Sequence, residues 1–264
     1  MMKRLLVLLA AGLLSGSSFA FADFTAYVDL AGRSGDANAA NVVKFLEPIG
    51  GSRVLKDFST GADTSVTLTM TASTSPIRSH LDGTTGSASY TLGTPAHSVF
   101  AGIVDPSGYL RDDQVPNPIQ PPFANVALDF TGLNPAKTYE LVLFGSRQGS
   151  GVVTPTRSVQ FTLSDVDSFT NASSIGAVFG GPADPSTSYD SGGATNQTLG
   201  LVAQYVNVQP GADGDMRVLV TAPSNSPSGK WYANALRVVE VPEPTALCML
   251  LAAAPMLLRR RRRQ

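Results

Sequence analysis

The residues able to do chemistry are few. The chain has two histidines, His80 and His97. A serine hydrolase holds a histidine against its nucleophile and orients it with an acid. Both histidines sit in Ser/Thr-rich text that reads as loop, and no G-x-S-x-G elbow is present. Paired carboxylates can cleave glycosides, yet the acids here gather at turns and no pair is singled out. A P-loop, a dinucleotide glycine fingerprint and H-E-x-x-H are all missing. The expectation is a protein with no catalytic residues and no cofactor beyond a calcium ion. The one cysteine, Cys248, lies in the apolar C-terminal segment. The rest of the chain can therefore form neither an intramolecular disulfide nor a cysteine-ligated zinc site.

Two ligand chemistries fit the residue types better. Calcium takes clustered carboxylate and carbonyl oxygens. Asp213-Gly214-Asp215 and Asp165-Val166-Asp167 are the best such clusters, with Asp213 and Asp215 first. Neither matches an EF-hand loop, and turn chemistry alone also places Asp and Gly together. Carbohydrate would need aromatic faces for sugar rings and polar groups for hydroxyls. Tyr109 and Tyr189, expected at the surface, are candidates with Arg147 and Arg157 as donors. Trp231 and Tyr232 are further aromatics, but they begin a strand and are expected to pack in the core. Arg147 follows an apolar strand, and a pairing with a buried acid such as Asp129 explains it as well as ligand contact does.

These residues must be positioned by strands. Val66, Leu68 and Met70 alternate with polar residues, as do Val126, Leu128 and Phe130, and Val159, Phe161 and Leu163. Phe24, Ala26, Val28 and Leu30 share one face of a first strand. Met216, Val218 and Val220 form a similar set. Residues 139–144 are apolar on both faces after Glu140 and read as a central strand, and residues 231–239 close the body. Gly/Pro/Asn turns such as residues 131–135, 180–182 and 210–214 separate the runs. Asp36–Leu46 is the one helical candidate, and the proline-rich stretch Leu110–Phe123 reads as a long surface loop. The expected fold is all-β: a single antiparallel β-sandwich or jelly roll over residues 23–240.

Charge narrows the partners. The full chain of 264 residues has a formal charge of −1. Setting aside Lys3, Arg4, Arg259 to Arg263 and Glu243 leaves 12 basic residues against 19 acidic ones, a body of about −7. An acidic body argues against nucleic acid, whose phosphates select Lys and Arg.

The two ends carry addresses. Lys3 and Arg4 precede an apolar run from Leu5 to Leu14, and Ala20-Phe21-Ala22 has the A-x-A form. This is the pattern of a secretory signal peptide over residues 1–22, cleaved after Ala22 and read by Sec export machinery. At the other end, residues 241–264 hold Pro242, Glu243 and Pro244, then an apolar helix over 245–258, then Arg259, Arg260, Arg261, Arg262 and Arg263. Prolines on both sides of Glu243 hold an extended grip point. The apolar helix would run about 21 Å at ~1.5 Å per residue, short of a ~30 Å hydrocarbon core. The arginines would stay cytoplasmic.

These three parts, in this order, resemble a PEP-CTERM sorting signal, also labelled ice-binding protein C-terminal domain, a label that implies no ice binding. The resemblance implies recognition of Pro242, Glu243 and Pro244 by an exosortase, a membrane cysteine transpeptidase. It also implies a transient inner-membrane intermediate, removal of the tail, and a final place at the cell surface or outside the cell, often in an exopolysaccharide matrix. The blocks Phe130–Pro135, Tyr139–Arg147, Asp165–Asn171, Pro210–Met216 and Tyr232–Leu236 resemble blocks of large bacterial extracellular proteins. Those modules are similar to galactose-binding-like jelly rolls and have no settled ligand. The expected function is a non-enzymatic envelope or extracellular-matrix module that binds polysaccharide. A secreted hydrolase with an unrecognised site and a purely structural surface protein are the alternatives.

Overall fold

The computed structural model describes residues 24–32, 36–46, 50–72, 77–81, 90–112, 125–147, 157–192, 195–226 and 229–241. The expected signal peptide with Ala20 and Ala22, the Pro242-Glu243-Pro244 motif, the apolar segment expected as a helix, and Arg259 to Arg263 lie outside them, as does most of the expected 110–123 loop.

The chain is β-rich. In order, the strands are β1 (Thr25–Asp29), β2 (Val43–Lys44), β3 (Gly51–Lys56), β4 (Asp63–Ala72), β5 (Ile77–Leu81), β6 (Gly108–Asp112), β7 (Val126–Thr131) and β8 (Thr138–Phe144). They continue with β9 (Ser158–Ser164), β10 (Val166–Asn171), β11 (Ser186–Asp190), β12 (Val202–Pro210), β13 (Met216–Thr221), β14 (Tyr232–Ala233) and β15 (Ala235–Val241). Among the described residues two short helices intervene, α1 (Pro95–Phe100) and α2 (Thr195–Leu199).

One six-stranded sheet has the order β10-β12-β8-β15-β1-β2, and a second has β11-β9-β13-β7-β4-β3. A three-stranded sheet has the order β14-β6-β5. Pairings are antiparallel except β1 with β2, which is parallel. In the first sheet Leu141 of β8 faces Val238 on one side and Tyr205 on the other. In the second sheet Leu128 of β7 faces Val218 and Met70.

The alternation in the sequence becomes burial. β9 alternates between half-buried and buried, with Val159, Phe161 and Leu163 inside. One continuous cluster takes these residues together with Val66, Leu68, Leu128, Phe130 and Val218 from the second sheet and Leu141, Leu143, Tyr205, Leu236 and Val238 from the first. Each such side chain contributes about 1.5–3 kcal/mol through its removal from water.

The first sheet is apolar on its other face as well. A second cluster joins Tyr27, Val142, Phe144, Val202 and Ala235 to Tyr90, Ala96, Phe100 and Val104. The segment around α1 therefore covers this face. This is why β1 is buried on both faces rather than on one, and why residues 139–144 lack alternation. The Thr94 hydroxyl caps α1 by accepting the His97 amide at 3.3 Å, and Pro95 opens the first turn.

Three expectations are corrected here. Asp36–Leu46 forms no helix. Val43 and Phe45 are buried with a half-buried Lys44 between them, a period of two, and the Phe45 amide bonds to the Asp29 carbonyl at 3.0 Å. Asn41 has φ 69°, which interrupts any helix. His97 lies on α1 and His80 on β5, not in loops. Finally, the stretch from Leu110 begins inside β6, which runs to Asp112. Among the described residues no helix is long and apolar enough to cross a membrane.

Candidate functional site

The site grows from the small sheet. In β14 and the residue before it, Trp231 and Ala233 enter the main core. Tyr232, between them, must point the other way. In β6 the same alternation sends Leu110 to the core and puts Tyr109 and Arg111 on the opposite face. The register sets Tyr232 opposite Arg111, and residues so paired share a face. The Tyr109 and Tyr232 rings meet edge to face with centroids 4.8 Å apart. Arg78 of β5 occupies the register position opposite Arg111 on the other side.

Two more arginines arrive from the large sheets. Arg147 follows β8 and Arg157 precedes β9. The Arg157 guanidinium lies 5.4 Å from the Tyr232 ring centroid, and that of Arg147 lies 6.0 Å away. Both fall within cation–π range. Ser191 joins them through its backbone: the Arg147 amide donates to the Ser191 carbonyl at 2.9 Å, and the Ser191 amide donates to the Arg157 carbonyl at 2.8 Å. Gly192 lies against Arg157, where a Cβ would come within 3.1 Å of the arginine Cβ.

Buried polar side chains fix the 145–147 backbone from every side. The Gly145 amide donates to the Tyr189 hydroxyl at 3.0 Å, and the Gly145 carbonyl accepts the Asn196 side-chain amide at 2.9 Å. The Ser146 amide donates to the Asn234 side-chain carbonyl at 2.6 Å. The Asn234 amide nitrogen in turn donates to the Gly108 and Pro106 carbonyls at 2.5 and 3.3 Å. Gly145 is required sterically, since a Cβ there would stand 2.2 Å from the Tyr232 carbonyl oxygen.

Partial burial, then the nearby Arg147 and Arg111 charges, hold the Arg157 guanidinium below the usual arginine range. Its Nε is buried and makes no hydrogen bond among the described residues, and neither does the buried hydroxyl of Tyr232. Arg111, Arg147 and Arg157 are each partly exposed, while Tyr109 and Tyr232 are buried beneath them. The arrangement offers guanidinium donors on an aromatic floor.

Several expected sites resolve differently. Tyr109 is 2 % exposed and Tyr189 is 4 % exposed, so neither presents a face to a sugar ring. Tyr189 is a clamp: its hydroxyl accepts from Gly145 and donates to the Leu143 carbonyl at 3.4 Å, and burial raises its pKa well above the ordinary tyrosine value. Tyr205 does the same across the sheets, donating to the Phe161 and Pro185 carbonyls, each at 2.9 Å. Trp231 and Tyr232 are packed, as their place in a strand implied. Asp129 pairs with Arg217, its neighbour across the β7–β13 register, at 2.5 Å, and not with Arg147.

The acidic clusters act in turns. The Asp213 carboxylate accepts the Asp215 amide at 3.2 Å, and Gly214 takes φ 78° where a Cβ would strike the Leu133 carbonyl. Asp165, itself at φ 57°, lies 4.0 Å from Arg217. Among the described residues no group of three or more His, Cys, Asp or Glu side chains converges as a metal centre would need.

The cavity bordered by Tyr90, Phe144, Ser146 and Gly200 has about 10 Å³, the room of one water and far below that of a sugar. Sequence reasoning named Arg147, Arg157, Tyr109 and Tyr232 separately. It missed Arg111, whose signal was its place two residues from Tyr109 in one strand. No protein-family model matches the chain. A search of curated proteins returns no match either.

Proposed function

We propose that this chain is an exported, exosortase-processed protein of the cell envelope or extracellular matrix, whose body binds polysaccharide without altering it. The body is a single sandwich of jelly-roll type. The one apolar cluster drawn from both six-stranded sheets supports that architecture. The sequence of the two ends supports the route: a basic, apolar and A-x-A start, and a Pro-Glu-Pro, apolar and oligo-arginine finish.

The observation that carries the binding reading is the arginine cluster over Tyr232, held by side chains from β11, α2 and the β14–β15 junction. Ligand sites built on rigid elements lose little entropy on binding. Partly exposed guanidiniums at one end of the sheets are suited to gripping a flexible chain. A glycan array probed with the protein, with and without calcium, tests this reading. Selective retention on one class of polysaccharide is expected, and flat signals across neutral and anionic polysaccharides alike would remove it. Mass spectrometry of the mature protein tests the route. Termini just after Ala22 and near Pro244 are expected, and an intact Met1 together with an intact Gln264 would overturn it.

A further inference from the structure

We infer that a second copy of this chain docks, through the same surface on each copy, at the aliphatic end of the body formed by Leu92, Ile175, Val178 and Leu199.

Large apolar side chains on the surface of the described residues are few, and they gather. Ile175 is 100 % exposed, Leu92 82 %, Val178 70 % and Leu199 50 %, and only Leu46 and Val54 are exposed elsewhere. Backbone contacts bring the four to one end, around residues 196–202. One neighbour is the 91–96 segment. The Thr91 hydroxyl donates to the Gln197 carbonyl at 2.6 Å, and the Ala96 amide donates to the Gly200 carbonyl at 2.9 Å. The other neighbour is the 174–178 segment. The Ser174 amide donates to the Val202 carbonyl at 3.1 Å, and a Cβ on Gly176 would stand 3.5 Å from the Leu201 side chain. Exposed apolar groups collected in this way mark a surface that meets a partner.

Charge selects the occupant. Residues 90–104, 172–183 and 196–202 hold no Asp, Glu, Lys or Arg, in a body of about −7. Two such acidic bodies repel over most of their surfaces. At this end they can meet without burying a charge. A two-fold contact needs one patch that suits itself, and a charge-free aliphatic surface does. The four side chains, doubled, offer an area on the order of 1,000 Å², where specific interfaces begin. Other occupants fit less well. None of the four is aromatic, so they offer no ring face to a sugar. No basic residue lies in these segments to draw an anionic lipid surface. Val178 also caps the edge of β11, exchanging backbone bonds with Ser188 at 2.8 and 2.9 Å, so the contact is made by side chains and not by strand addition. The place in the fold agrees. Val202 and Ala235 pair with Phe144 at the patch end of β8, whereas Val241 pairs with Thr138 at its other end. The C-terminal tail therefore departs about 20 Å away, at ~3.3 Å per residue of strand.

The test exploits a body without cysteine. In the full chain carrying Cys248→Ser, Leu92→Cys, Ile175→Cys and Leu199→Cys are made one at a time and oxidised mildly. At least one is expected to give a disulfide-linked dimer on non-reducing gels, in a yield at least tenfold above Val54→Cys. Val54 is the fitting control because it is 45 % exposed on β3, the edge of the second sheet opposite β11.

Sedimentation equilibrium of the full chain is expected to show the mass rising from one copy to two with concentration. Ile175→Asp with Val178→Asp is expected to weaken the association at least tenfold, and Val54→Asp to leave it unaltered. Circular dichroism of each variant keeps a folding defect separate from dissociation, and the cysteine variants read the contact without adding a charge. The mass of one copy at every concentration would overturn the docking. Equal cross-linking at Val54 and at the patch, or an assembly indifferent to Ile175→Asp and Val178→Asp, would overturn its assignment to this surface. Binding to phosphatidylcholine vesicles that Ile175→Asp abolishes, without any dimer, would give the surface to lipid in place of a second copy.

Discussion

Two regions of this protein use the same polar residue types to different ends. On the outer face of the second sheet, Asp129, Arg217, Ser52 and Thr69 make hydrogen bonds that water could replace. Around residues 145–147, Asn234, Asn196, Tyr189 and Ser191 make bonds that water cannot replace, because all four are buried. The Asp129 carboxylate raises the pKa of Arg217, whereas burial, then the nearby arginine charges, lowers that of Arg157. Burial, not residue identity, separates a solvated ion pair from a preorganised site.

The largest test of this contrast is the buried carboxyl of Asp29. It accepts the Ala31 amide at 3.0 Å and the Asn38 side chain at 2.7 Å. Burial, only partly offset by the Asn38 bond, pushes its pKa from 3.8 up to about 7. The folded state then holds this proton more tightly than the unfolded chain does. Folding stability is therefore greater in acid and falls as pH climbs from about 4 to about 7, staying level above. The gap corresponds to roughly 4 kcal/mol at about 1.36 kcal/mol per unit. Asp29→Asn should flatten this slope in urea unfolding measured from pH 4 to 8. An unchanged slope would mean that the site is wetter than its burial implies.

Next comes Asn234→Ala. It strips the acceptor from Ser146 and the donor from Gly108 and Pro106 in a site closed to water. A loss of about 3 kcal/mol is expected at roughly 1 kcal/mol per bond. Urea denaturation reads it directly, and a loss below about 1 kcal/mol would erase the distinction between the two regions.

Tyr189→Phe keeps the ring and deletes the hydroxyl, leaving the Gly145 amide without its acceptor. The expected cost is about 1–2 kcal/mol, and faster hydrogen exchange at the Gly145 amide would localise it. Arg217→Gln on the outer face sits at the other extreme. Its side chain is 48 % exposed, and exposed pairs contribute only about 0–1 kcal/mol. Thermal unfolding should barely move, and high salt should erase what difference there is.

Much of the fold was legible from single residues. Val126, Leu128 and Phe130 alternate because one face of β7 meets the core, and a period of two survives any detail of tertiary packing. Residues 139–144 lost the alternation because β8 is buried on both faces, which the sequence also signals. The 36–46 segment misled because its apolar residues fit two periods over so short a span. Its conformation is decided by the Asp29 carbonyl and the Ile103 carbonyl, far away in the chain. Tyr189 misled for a related reason. A tyrosine near glycines and serines looks like a surface aromatic, but its hydroxyl finds a partner 44 residues away.

The candidate site was half legible. Arg147, Arg157 and Tyr232 each stood out by type, and Arg111 did not. Nothing in local text says that residues 111, 147, 157 and 232 share one ring of contacts.

The sequence by itself determined the β class, the strand faces, the turn positions and the character of both ends. Each of those follows from near neighbours: alternation, proline and glycine placement, and runs of one hydropathy or charge. Only the tertiary structure decided which residues meet across the sheets. Strand register sets these distances, and it depends on pairing between segments more than a hundred residues apart, as with Tyr232 and Arg111.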